Sequence, residues 1–191
     1  MKRRLHTPEG QVRIIGGRWR NTRLTVPDSP GLRPTPDRVR ETLFNWLMPK
    51  LPQSSVLDLF AGSGALGLEA VSRGASHATL IEQDPVLVQR LRQTAQRLSA
   101  QSIVRIVHED ARQWLARQPG GLADIAFVDP PFSADLWEQT LALLLPRLNP
   151  GAWLYLEHPI DTAPELSLDW PLHREGRTRE VRFALYRGPE G

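Results

Sequence analysis

Between Ser55 and Glu157 the chain repeats one rhythm, a short apolar run followed by a longer amphipathic segment, and this constrains the fold more than any other feature. The runs Ser55–Phe60, Ala78–Glu82, Ile103–Val107, Asp124–Val128 and Trp153–Glu157 read as strands. The segments Gly64–Arg73, Pro85–Ser99, Ala111–Gln118 and Ala134–Arg147 read as helices between them. Apolar strands alternating with amphipathic helices predict a parallel sheet covered on both faces. The pattern then changes. Leu172–Glu175 and Val181–Tyr186 flank Gly176-Arg177-Thr178, which predicts an antiparallel hairpin and brings the sheet to seven strands. Ahead of this unit, Val12–Val26 reads as a hairpin turning at Gly16-Gly17, and Pro27–Pro34 as a connector. A helix follows, with Thr35 as its cap, Pro36 in its first position and Val39, Leu43, Trp46 and Leu47 on its apolar face, ending at Pro49 and Pro52. The predicted organisation is a basic extension over residues 1–34 and an α/β domain over 35–191, with no internal repeat.

The 191 residues include no cysteine, which excludes disulfides and thiol chemistry, and the five histidines have no ligand-like spacing, so no metal site is expected. No run approaches the roughly 20 apolar residues of a membrane span, and the basic start lacks the apolar region of a secretory signal. A cytoplasmic monomer is expected. The net charge of +3 is unevenly spread: residues 1–50 hold 11 Lys+Arg against 4 Asp+Glu, and the remainder is mildly acidic. Arginine supplies 22 of the 24 basic residues. Its rigid donor fork suits phosphates and stacks on bases, so a polyanion partner is one reading and a solvated surface the other.

The most specific segment is Val56-Leu57-Asp58-Leu59-Phe60-Ala61-Gly62-Ser63-Gly64-Ala65-Leu66-Gly67, a strand running into a glycine-rich turn and a helix. In doubly wound sheets ligands bind beyond the carboxyl ends of strands, where this turn lies, and glycine lets backbone approach them closely. The spacing of Gly62, Gly64 and Gly67, with Glu82 following 20 residues after Gly62, also fits a dinucleotide fingerprint, which makes a nicotinamide oxidoreductase a rival. Asp58 argues against it. A carboxylate there repels a pyrophosphate and favours a cationic ligand, such as the ammonium and sulfonium of S-adenosylmethionine. The loop residues Phe60, Ala61, Gly62, Ser63 and Gly64 would then cradle that cofactor. Glu82, with Gln83 beside it, would take the ribose hydroxyls, and Asp110 with the Ala111 N–H the adenine. Each acid could instead cap a helix, as Asp84 and Asp110 both precede one.

Asp129-Pro130-Pro131-Phe132 ends the fourth run. It is similar to the (Asp/Asn/Ser)-Pro-Pro-aromatic motif of amino methyltransferases. An exocyclic amine on a purine shares its lone pair with the ring and is a poor nucleophile. Acceptors against its N–H return density to nitrogen. Asp129 and the Pro130 carbonyl supply two, the prolines fix the backbone that carries them, and Phe132 offers a stacking face. At an ordinary carboxyl pKa of about 3.9, Asp129 is expected to be ionised at neutral pH. The plainer alternative is a turn that stops a strand.

These motifs, with Ile14-Ile15-Gly16-Gly17-Arg18-Trp19-Arg20 and the stretch from Gly31 to Leu47, resemble in the same order the RsmD family, across about Val12 to Glu157. The resemblance implies a Class I, Rossmann-like methyltransferase fold and S-adenosylmethionine as donor. It implies the N2 amine of one guanine in 16S rRNA as acceptor, within an assembled or partly assembled small ribosomal subunit. It also implies that Arg33 to Asn45 packs near the methionine end of the cofactor, which assigns Thr35 to the cofactor and Arg38 to RNA. Arg13, Arg18, Arg20 and Arg23, interleaved with Trp19, would hold looped RNA by charge and stacking. A DNA adenine-N6 methyltransferase shares the Asp-Pro-Pro-Phe motif, but no separate target-recognition domain is visible.

Overall fold

The computed structural model describes residues 10–26, 35–131, 136–162 and 164–191. Strands β1 (Gly10–Arg13) and β2 (Arg23–Val26) come first, then helix α1 (Asp37–Leu47). The alternation follows as β3 (Ser55–Asp58), α2 (Ala65–Ser72), β4 (His77–Glu82), α3 (Pro85–Arg97), β5 (Val104–His108), α4 (Ala111–Ala116), β6 (Ile125–Val128), α5 (Leu136–Leu144) and β7 (Trp153–Pro159). Strands β8 (Leu172–Arg177) and β9 (Val181–Arg187) complete a seven-stranded sheet of order β5-β4-β3-β6-β7-β9-β8. β3 to β7 pair in parallel, and β9 runs antiparallel to both of its neighbours. The expected mostly parallel sheet with an antiparallel end is therefore present. Successive strands move outward from β3 to β5, then the chain returns to place β6 on the other side of β3. A reversal of this kind leaves a crevice at the carboxyl ends of the two central strands.

Residues along a strand point alternately to opposite faces, and both faces here are apolar. Val56, Phe127, Tyr155 and Leu185 pack with α1, α2, α3 and the first two strands. Leu57, Ala126, Val128 and Leu156 pack with Trp114 and Leu115 of α4 and Trp137 and Leu141 of α5. The Phe44 ring of α1 meets Phe127 edge-on at 6.0 Å, and Trp46 stacks on Phe183 at 5.7 Å, fixing this helix across the sheet.

Three details depart from the sequence reading. Pro36, not Thr35, occupies the N-cap of α1, and the Thr35 hydroxyl turns elsewhere. The helices are shorter than their apolar patterns, and the stretch after α5 tightens into a 3-10 turn, Leu145–Arg147, around Pro146. The first hairpin is not closed at Gly16-Gly17 alone: a 3-10 turn, Gly17–Trp19, and a left-handed Asn21 intervene before β2. The connector 27–34 and the expected start of α5 lie outside the described residues.

This irregular turn is held by α2. Glu69, with no solvent exposure, accepts the backbone N–H groups of Ile15 and Gly16 at 2.8 Å each. Ser72 donates to the Gly16 carbonyl at 2.6 Å and accepts from the Trp19 N–H at 2.9 Å. Arg40, equally buried, donates to the Arg13 carbonyl at 2.9 Å and pairs with Glu69 at 3.3 Å, while Arg73 pairs with the other Glu69 oxygen at 2.7 Å. Gly17 sits against the Ser72 backbone at φ +74, where a Cβ has no room. Removing one partner of a buried pair strands the other. Glu69→Ala is therefore expected to cost about 3–5 kcal/mol in chemical denaturation, with hydrogen-exchange protection lost at Ile15 and Gly16.

Candidate active site

The crevice opens into a cavity of about 750 Å³ at the carboxyl ends of the parallel strands. Thr35, Asp58, Phe60, Ala61, Gly62, Ser63, Glu82, Gln83, Asp110, Ala111, Asp129, Pro130 and Pro131 all line it. Parallel register explains the convergence, because β3, β4 and β6 end side by side and each ends in or beside an acid. Gly64 does not line the cavity. It holds the left-handed N-cap of α2 at φ +80, and a Cβ there would meet Leu91 at 2.6 Å and Leu68 at 2.9 Å. A Cβ on Gly67 would meet Leu80 at 2.7 Å. Both glycines are required by the packing of α2 against its neighbours. Phe132 lies outside the described residues.

The acids on the glycine side are held by backbone donors. Asp58, buried, accepts the Gly67 N–H at 3.0 Å, so it fastens the first turn of α2 while facing the cavity. Burial pushes its carboxyl up to about 7, the Gly67 bond opposes that, and the nearby Glu82 charge adds to it. Glu82 accepts the Gly62 N–H through one oxygen and the Asp84 N–H through the other, both at 2.8 Å, and so shapes the loop. Asp84 caps α3, accepting from Val86 at 2.7 Å. Asp110 caps α4, accepting from the N–H groups of Arg112 and Gln113 at 3.0 and 3.1 Å. Burial works against its charge, but these bonds and the Arg112 guanidinium hold its carboxyl below the usual range. Capping and cavity lining thus coincide at Asp110.

At the other end, Asp129 is not the ordinary carboxylate that its residue type suggests. Enclosure, with the charge of Glu157 close by, pushes its carboxyl well above the usual range, against a bond from Thr35. The Thr35 hydroxyl stands 3.1 Å from Asp129 Oδ2 and 3.3 Å from Glu157 Oε2. Glu157 Oε2 also accepts the Tyr155 hydroxyl at 2.9 Å. The sequence reading took Glu157 only as a strand end and passed over Tyr155. An acid closing an apolar run was the available signal for Glu157, the same one that marked Asp58. Thr178, Arg179 and Glu180 of the β8–β9 turn, with Val181 at the start of β9, border the same cavity.

The residues expected to meet RNA lie elsewhere. Arg13, Arg18, Arg20, Arg23 and Arg38 are exposed. Arg13 pairs with Asp37 at 3.1 Å, and the Arg18 guanidinium stacks 4.3 Å over Trp19, which is itself half-buried against the core. Among the described residues no group of acids and histidines could hold a metal, and no helix is long and apolar enough to cross a membrane.

A pocket of backbone donors, acids and a rigid proline turn can hold a small cationic nucleoside beside a flat amine. The family described as Conserved hypothetical protein 95 matches residues 12–187. Ribosomal RNA small subunit methyltransferase D of Escherichia coli (strain K12) is 49% identical, covering 97% of this chain and 94% of that protein. Its counterpart in Haemophilus influenzae is 42% identical, covering 96% and 98%. A solved methyltransferase structure from Escherichia coli superposes with a TM-score of 0.86 at 46% identity, covering 95% of this chain and all of the other. The chain belongs to the RsmD family of methyltransferases.

Proposed function

We propose that this protein transfers a methyl group from S-adenosylmethionine to the exocyclic N2 amine of a guanine in 16S rRNA, within the small ribosomal subunit. The observation that carries the reading is one cavity holding both the glycine loop and the Asp129-Pro130-Pro131 turn. Family membership supports it, since relatives carry the name of small-subunit rRNA methyltransferase. The sheet order supports it too. The dinucleotide-binding sheet has six strands in sequential order on each side of its switch point, whereas here a seventh, antiparallel β9, is inserted between β7 and β8.

The donor supplies an electrophilic methyl on a sulfonium. The chain's own groups hold and orient it. Asp58 offers a negative charge to the cationic end, Glu82 and Gln83 face the ribose, and Asp110 with the Ala111 N–H faces the adenine. Gly62, Ser63, Phe60 and Ala61 form the walls between. Asp129 and the Pro130 carbonyl accept from the amine, which localises its lone pair, and Pro131 with Phe132 sets the plane of the base. Both contributions are orientation and prearranged electrostatics. The guanine must leave its stack to enter, which costs least from a loop or an irregular RNA. Arg13, Arg18, Trp19, Arg20, Arg23 and Arg38 form the basic exterior that would grip the surrounding RNA.

The test is transfer of labelled methyl to small subunits lacking the modification, with naked 16S RNA and DNA alongside and the product nucleoside identified by mass. N2-methylguanosine is expected. Label on adenine or in DNA would overturn the acceptor. Asp129→Ala should abolish transfer while donor affinity stays within about fivefold, since its interaction belongs to the reacting amine; binding measured by calorimetry checks the second half. Asp58 generates a pH prediction. Its carboxyl near 7 is largely protonated at pH 6 in the free protein, and a cationic ligand favours the ionised form. Donor binding should therefore weaken as pH falls below about 7 and release a proton, read as a buffer-dependent binding enthalpy. Neutralising Arg18 and Arg20 together should lower the slope of log affinity for RNA against log salt by roughly 1–2. An unchanged slope would remove these residues from the RNA contact.

A further inference from the structure

Glu157 is a buried acid of the cavity to which the methyl-transfer reading gives no task. It sits behind Asp129 with a single hydroxyl between them: Thr35 Oγ1 lies 3.1 Å from Asp129 Oδ2 and 3.3 Å from Glu157 Oε2. A hydroxyl has one proton to donate. With both carboxylates ionised, Thr35 serves one and leaves the other short of that bond. With one proton on the pair, Asp129 donates to Thr35 and Thr35 donates to Glu157, so every contact in the row is used. Tyr155 fixes the far end by donating to Glu157 at 2.9 Å. One proton therefore satisfies the Asp129–Thr35–Glu157 row.

We propose that Glu157 is a positioning residue for methyl transfer: through Thr35 it makes Asp129 the acceptor of the amine proton. The inference rests on the methyl-transfer reading above. As the N2 lone pair forms the new N–C bond, the S–C bond of the donor breaks and its electron pair stays on sulfur. The N–H proton passes to Asp129, is shared along Thr35 toward Glu157, and later leaves to solvent. The surroundings favour this uptake. Asp58 at the end of β3 adds a further negative charge near Asp129. Arg40 of α1 reaches the Thr35 carbonyl at 3.3 Å, but its charge is engaged by Glu69 and Asp37. His158 turns its ring Nδ1 to the Pro159 carbonyl, and Arg179 and Glu180 border the cavity from the β8–β9 turn. The upward displacement of the Asp129 carboxyl, and of the Tyr155 phenol through burial and Glu157, agrees with the geometry.

The experiment is single-turnover methyl transfer against pH for the full-length protein on small subunits, comparing wild type with Glu157→Gln, Glu157→Asp and Tyr155→Phe. Wild type should lose rate on the acid side as the pair takes up its proton beforehand. Glu157→Gln removes the second charge, so its acid limb should move down by about one pH unit or more. The plateau rate should fall roughly tenfold with substrate affinities within about threefold. Glu157→Asp should recover part of the wild-type profile. Tyr155→Phe keeps the charge but removes a donor to Glu157, so its limb should move up. Opposite displacements support the proposal; an unmoved limb in Glu157→Gln, or both moving the same way, overturns it. Should Glu157→Gln fail to fold, Tyr155→Phe alone decides by the direction of its shift. Infrared difference titration reads the pair without turnover. A protonated-carboxyl band that disappears in Asp129→Asn and titrates at lower pH in Glu157→Gln supports the pair, and its absence sinks it. Wild type that shows the band but methylates no guanine would overturn the acceptor reading and leave the pair standing.

Discussion

The buried contact between Glu69 and Arg40 is the constraint on which the rest depends. Taking two charges out of water costs several kcal/mol each, recovered only where the remaining donors and acceptors are also used. Here they are used widely. Glu69 takes two backbone N–H groups and two guanidinium groups, and Arg40 also reaches the carbonyls of Arg13 and Thr35 and the carboxylate of Asp37. One carboxylate thus joins the irregular first hairpin, α1 and α2. Because Arg40 also holds the Thr35 backbone, the hydroxyl between Asp129 and Glu157 inherits its position from the same contact. Part of the basic surplus at the front of the chain is therefore internal architecture rather than surface charge.

The sheet was legible in the sequence because its signal is local: apolar runs of strand length, with an acid in or shortly after each. The same local signal marked Asp58, Glu82, Asp110 and Asp129, which the parallel register then gathers at one edge. Other features depend on contacts far apart in sequence. Helix α2 is buried all round, so no polar face singled out Glu69, and its hairpin partners lie more than 50 residues away. Thr35 stands where a cap belongs, but a proline occupies the cap and frees its hydroxyl for partners 94 and 122 residues on. The need for glycine at position 64 likewise includes what packs behind the loop, Leu91 of the next helix, which spacing does not reveal.

Charge is divided between inside and outside in a way that suits a nucleic-acid partner. On the proposed reading, the exposed arginines of the first hairpin and α1 would attract a polyanion at long range, within the limits of salt screening. The cavity wall, by contrast, carries Asp58, Glu82, Asp110, Asp129 and Glu157. On the proposed reading, acceptors of this kind suit a base edge with N–H donors and a cationic donor molecule, while Arg112 and Arg179 supply the positive groups of the same lining. The same separation would sort the parts of one nucleotide, backbone against the rim and base into the cleft.

The insertion of β9 between β7 and β8 also dictates how the sheet can be assembled. β8 is made first but touches only β9, so it has no place in the sheet until β9 lies along β7. The economical route is for the two strands to pair as a hairpin, an event of microseconds, and dock through the free side of β9. The strand left at the rim is the polar one. Arg174, Glu175 and Arg177 line β8, where a bare apolar edge would recruit strands from neighbouring chains. The strand order that sets the cavity's far border thus also leaves the growing sheet with a charged, self-limiting margin.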